Sequence, residues 1–157
     1  MSNNSKLRAI NTPVVELCDD DECRELDAFL VERIYQFNVQ ATGYFDGKLL
    51  AGRLRSEEGE VIAAFSGHTW GGCCVLVHLW VHEAQRGRGL GRALLQVAEA
   101  EAAHRGCEQV VLSTHSFQAP AFYERLGYER HAVIRGQPRG HGNIVYVKRL
   151  GGQNGAC

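Results

Sequence analysis

No stretch of this sequence approaches the roughly 20 consecutive apolar residues of a membrane-spanning helix, and its opening, MSNNSKLRAI, lacks the apolar core of a secretory signal. Those absences predict a cytoplasmic protein without a membrane partner. Neither sign of charge prevails: 17 Lys plus Arg stand against 18 Asp plus Glu, a formal net charge of −1 with His neutral. A chain so balanced has no bulk attraction for nucleic acid and offers no broad acidic surface to a basic peptide. Proline is scarce at 3 residues, while hydrophobic residues make 45% and charged ones 22%, which excludes a disordered or collagen-like chain. The six Cys include no C-x-x-C pair, so no tetrahedral metal site is expected, and without a secretory signal reduced thiols are the default.

What remains is a 157-residue chain long enough for one hydrophobic core and too short for two. One domain over residues 1–150 is expected, with 151–157 as a loose tail. Residues 7–17, rich in β-branched types around Pro13, predict an edge strand. The acidic run Asp19–Glu22 suits a helix start, and Leu26, Phe29, Leu30, Ile34 and Phe37 follow at helical spacing, predicting about four turns. Strands are predicted at Lys48–Arg55 and Val61–Phe65 around the polar turn Ser56–Glu60, followed by a loop over Ser66–Gly72. The apolar run Cys73–Val81 reads as a central strand buried on both faces. From Leu90 the period turns helical through Leu94, Val97, Ala98 and Ala102, with His104-Arg-Gly106 as the stop. A strand over Glu108–Thr114, a short helix over Pro120–Leu126, and strands over Tyr128–Arg135 and Asn143–Leu150 complete an α/β pattern.

Glycine is the one excess, 18 residues, and its placement carries information. A buried strand, the loop Gln85-Arg-Gly-Arg-Gly-Leu-Gly91 and a long helix follow one another without a spacer. Glycines admit a ligand close to the backbone, a helix N-terminus presents unpaired amides, and Arg86, Arg88 and Arg92 add positive charge. A pyrophosphate suits such a helix end. The dinucleotide fingerprint G-x-G-x-x-G fails, because Arg92 and Leu94 stand where its last glycine must be, and no G-K-[ST] triplet exists for a P-loop.

What fits is Arg-x-x-Gly-x-Gly, met by Arg86, Gly89 and Gly91 directly after Leu79-Trp-Val-His82, followed at a distance by Ala119-Pro-Ala-Phe-Tyr-Glu-Arg-Leu-Gly-Tyr128. In these two motifs and their order, the sequence resembles the GNAT superfamily of acyl-CoA-dependent N-acyltransferases. The resemblance implies a single-domain α/β fold: a mixed, mostly antiparallel sheet flanked by helices, whose fourth and fifth strands splay apart around the pantetheine arm of acetyl-CoA. Those strands would be Val75–His82 and Glu108–Thr114. It implies that Leu79, Trp80 and Val81 meet the pantetheine and that Arg86, Gly87, Arg88, Gly89, Leu90, Gly91 and Arg92 hold the pyrophosphate. Ser116 stands where many members carry a cofactor-binding Asn.

Acetyl transfer to an amine needs a neutral nucleophile, and a lysine-like amine of pKa about 10.4 is scarce in that form near pH 7 by about 4.6 kcal/mol. Tyr123 aligns with the tyrosine to which the family assigns protonation of the departing thiolate; without the resemblance it reads as packing beside Phe122. His78 is the titratable candidate for the base inside the strand, and it reads equally as a satisfied core histidine. His82 has the weaker claim. Trp70 fills the core or walls the acceptor pocket. Tyr35, Asn38 and the basic loop Arg135–His141 are further acceptor-side candidates, and that loop also suits a homodimer interface. The expected activity is direct acetyl transfer from acetyl-CoA to the primary amine of a small molecule, without a metal. Its rivals are a CoA-binding sensor without turnover, a peptide N-acetyltransferase, and nucleic-acid binding through Arg86–Arg92 and Arg135–Arg139.

Overall fold

The computed structural model describes residues 15–151. Of the strand expected over 7–17, residues 7–14 lie outside the described residues, as does 152–157 of the expected tail, and residues 15–17 carry no regular structure. Contacts divide the chain into two compact units, Met1–Gly43 and Tyr44–Cys157. The described element of the first is α1, Asp20–Thr42. Its start is a reciprocal cap: the Asp19 carboxylate accepts the amides of Asp21 and Glu22 at 3.0 Å each, and Glu22 Oε2 accepts the Asp19 amide at 3.2 Å. At 23 residues the helix outruns the about four turns expected, because no glycine or proline interrupts it before Gly43, whose φ of 75° ends it.

The second unit holds a six-stranded sheet. Its strands are β1 (Lys48–Arg55), β2 (Val61–Trp70), β3 (Cys73–Val81), β4 (Gln109–His115), β5 (Glu129–Arg135) and β6 (Gly142–Arg149), in the spatial order β1-β2-β3-β4-β6-β5. Only the β3–β4 pair is parallel; the others are antiparallel, which gives the mixed sheet expected. A parallel pair needs a crossover, and α2 (Leu90–His104) supplies it. A short helix α3 (Pro120–Arg125) leads from β4 toward β5.

Helix α2 buries Leu94, Leu95, Ala98 and Ala102 against a sheet face carrying Leu50, Phe65, Leu76, Val110 and Tyr146. Val97, expected inside, is 60% exposed; positions 94, 95, 98 and 102 define the buried stripe, and 97 falls off its edge. Two expectations about strands also change. The segment Ser66–Trp70 is strand, since the turn is confined to Gly71 and Gly72, both at positive φ. Strand β3 is not buried on both faces: Val77 and Trp80 are about half exposed.

Two polar clusters tie the elements together. Glu99 of α2 accepts the Tyr128 hydroxyl at 2.9 Å and Lys148 Nζ of β6 at 2.7 Å. Glu124 of α3 accepts the Tyr146 hydroxyl at 2.7 Å and pairs with Arg130 at 2.8 Å.

Candidate active site

The parallel ladder is short. Cys73 through Leu76 pair with Gln109 through Leu112, and beyond them β3 and β4 part. The parting is expected of the fourth and fifth strands of the resembling fold, which are β3 and β4 among the described elements. A cavity of about 1110 Å³ opens there, lined by His78 through Val81, the glycine loop and the start of α2, Ser113, Phe117, Gln118, Phe122 and Tyr123. That is slightly above the usual range of small-ligand pockets, about 300–1,000 Å³.

The loop's backbone lines one wall of the cavity and leaves several amides unpaired. Ala93 is the first amide of α2 to find an acceptor, Gly89 O at 3.0 Å; the amides of Gly87 through Arg92 have no hydrogen-bond partner among the described residues. Gly89 caps the helix with φ 80°, and a Cβ there would meet nothing within 4 Å, so the space above the backbone is open to a ligand. The arginines divide into two kinds. Arg86 Nε donates to Val81 O at 3.1 Å and Arg88 donates to Gln85 Oε1 at 2.6 Å, so both brace the loop, and Arg88 is not part of the cavity wall. Arg92 lines the cavity, as does Arg125 from α3, and both also line a second hollow of about 360 Å³ beside Glu99 and Lys148.

Tyr123, 9% exposed, packs edge-on against Phe122 and Tyr128 and faces the same cavity. Burial pushes its phenol above the ordinary tyrosine value, and its hydroxyl has no partner among the described residues. His78 is exposed to the cavity and is not a core histidine: its Nδ1 lies 3.1 Å from Ser66 Oγ. Cys73, Cys74 and Cys107 make poor rival nucleophiles, since burial raises the thiols of Cys73 and Cys107 and pushes Cys74 up to about 11.

Several expected residues stand elsewhere. Ser116 does not line the cavity; its Oγ accepts the Gly142 amide at 3.2 Å and its amide donates to Gly142 O at 2.8 Å, which ties the end of β4 to β6. The His82 ring accepts the Ala84 amide at 3.2 Å and caps a 3-10 turn over Glu83–Gln85. Trp70 donates to Tyr44 O at 3.0 Å, away from the cavity. Phe117, Gln118 and Arg125 line the cavity unforeseen. Gln118 was legible only through its fold contacts, its Oε1 accepting the Thr114 hydroxyl and the His115 amide at 2.9 Å each.

The family model described as the acetyltransferase (GNAT) family matches residues 15–128. The chain belongs to the GNAT acetyltransferase family. Its relatives include blasticidin-S acetyltransferase of Streptomyces morookaense, 39% identical over 95 residues that cover 60% of this chain and 70% of that protein. An acetyltransferase of Agrobacterium fabrum is 31% identical over 106 residues, 68% of this chain and 77% of that one. Among solved structures, an acetyltransferase from Bacillus cereus matches with a TM-score of 0.71 at 27% identity, covering 88% of this chain and 98% of its own. The sheet parted between β3 and β4 is thus the GNAT sheet, and GNAT enzymes use acetyl-CoA.

Proposed function

We propose that this acetyltransferase moves the acetyl group of acetyl-CoA directly to a primary amine of a small molecule. One observation carries the reading: the amides of Gly87 and of Gly89 through Arg92, unpartnered among the described residues, belong to residues lining the same cavity as Tyr123, whose hydroxyl is likewise unpartnered, and the ring of His78. When bound, acetyl-CoA supplies an activated thioester and a thiol that leaves. The loop amides receive its pyrophosphate, with Arg92 and Arg125 as the cations free to join them, while the β3 edge from Leu79 to Val81, unpaired toward β4, offers main-chain groups to the pantetheine.

The proton traffic uses two residues. His78 takes the proton of the incoming ammonium at a ring nitrogen, and Tyr123 Oη gives one to the departing sulfur. Burial suits Tyr123 to the second task by keeping its phenol protonated through neutral and mildly alkaline pH. The relative named for blasticidin S makes that compound the first acceptor to try. The test is a thiol-release assay with acetyl-CoA over blasticidin S, a polyamine, an aminoglycoside and short peptides. Release with a small amine supports the reading; release with peptides alone overturns its acceptor class; tight CoA binding with no release from any amine makes the protein a sensor.

A further inference from the structure

Strict alternation along β3 would put His78 on the same face as Cys74 and Leu76, inside the core. It is not there, because the β2–β3 ladder slips: Ser66 pairs with His78, but the next residue, Gly67, pairs with Leu76, leaving Val77 as an extra residue. After this bulge Leu79 and Val81 take the core side, and His78 turns to the opposite face, beside Ser66. Gly67 makes the slip feasible, since a Cβ at that position would collide with the carbonyl oxygen of Val75. The product is a contact between side chains facing each other across two strands, Ser66 Oγ to His78 Nδ1 at 3.1 Å.

We infer that Ser66 is a positioning residue for His78: its Oγ accepts the Nδ1 hydrogen, which fixes the ring and leaves the lone pair on Nε2, the nitrogen with no partner among the described residues. The direction of the bond decides the chemistry. A neutral imidazole carries one hydrogen; if the serine hydroxyl donated to Nδ1, that hydrogen would sit on Nε2 and the ring could accept nothing from an amine. With Nδ1–H donating to Ser66, Nε2 takes the ammonium proton and the resulting imidazolium keeps the same bond to Oγ. No rearrangement accompanies the step, and the serine hydrogen turns toward water.

The inference rests on His78 as the base of the proposed transfer, so the experiment separates the two. Long-range 1H–15N spectra of the whole protein report the neutral tautomer of His78 and need no acceptor. The wild type is expected to show Nδ1–H and Ser66→Ala to revert to Nε2–H; a wild-type ring already carrying its hydrogen on Nε2 overturns the inference. In parallel, kcat is measured with the best amine of the panel for Ser66→Ala, Ser66→Thr and His78→Gln. Ser66→Ala is expected to lose about tenfold or more in kcat with CoA affinity unchanged, a fraction of the 10²–10⁴ typical of acid–base catalysis, and Ser66→Thr to recover most of it by restoring the oxygen. Full kcat in Ser66→Ala beside a crippled His78→Gln removes Ser66 alone. Full kcat in His78→Gln removes the base, and the positioning role with it.

Discussion

Tyr123 carries the sharpest expectation for a single side chain. Phenylalanine there keeps the ring and its edge contacts to Phe122 and Tyr128 while deleting only the hydroxyl. If Oη protonates the departing sulfur, kcat of Tyr123→Phe falls by about 10²–10⁴-fold with little change in acetyl-CoA affinity. The wild-type rate should decline at alkaline pH as the phenol ionises, and because burial raises that ionisation, the decline falls above the ordinary tyrosine value. The phenylalanine variant should lack that limb in a pH–rate profile. This residue was legible because its neighbours form a contiguous motif, Phe122-Tyr-Glu124. Ser66 was not: it sits 12 positions from His78 in a stretch whose Gly and Trp content reads as a loop, and only the ladder register brings the two together. Arg125 was missed for a related reason, since nothing in its spacing tells a cation at the end of a short helix from a solvated one.

At the scale of elements, the turn into α2 and the anchoring of that helix can be tested separately. Gly89→Ala places a side chain on backbone at φ 80°, which costs about 1–2 kcal/mol for an L-residue. No atom lies within 4 Å of the added carbon, so strain is the whole structural cost and the fold persists. The methyl occupies the space a phosphate must enter, so calorimetry should show CoA affinity reduced tenfold or more in a protein whose Tm falls only modestly. Glu99→Ala acts further along the helix, where α2 is tied to β6. It leaves the Tyr128 hydroxyl and Lys148 ammonium without their shared partner, and chemical denaturation should show a loss of about 1–3 kcal/mol, as when partly buried donors lose a charged acceptor. From α1 onward the order of strands and helices was legible from periodicity and glycine stops, since each element's apolar spacing is local. The length of β2 was not, because its outer half carries Ser66, Gly67 and His68, and ladder bonds to β1 and β3 hold it extended in spite of that composition.

For the whole molecule, three buried tyrosines set an alkaline limit. Burial, first of all, raises the phenols of Tyr123, Tyr128 and Tyr146, with Glu99 adding to it at Tyr128 and Glu124 at Tyr146. The unfolded chain releases these protons near pH 10 while the native one holds them. Their contribution is therefore fully present below about pH 10 and is lost as pH climbs from there toward the raised native values. Denaturation midpoints should be flat with respect to these groups up to about pH 9 and fall steeply beyond 10; replacing Tyr128 with Phe should soften the slope. The parted ladder sets a different limit. Only four residue pairs stitch β1-β2-β3 to β4-β6-β5, all at the Cys73 end, so the sheet is a clothes-peg whose spring is Cys73–Leu76 against Gln109–Leu112. Opening such a peg strains its jaws far less than its spring. Amides of Leu79 and Val81 on the β4 side should exchange with solvent long before those of Cys74 and Val110, and whatever is gripped between the jaws sets the stiffness of the entire sheet.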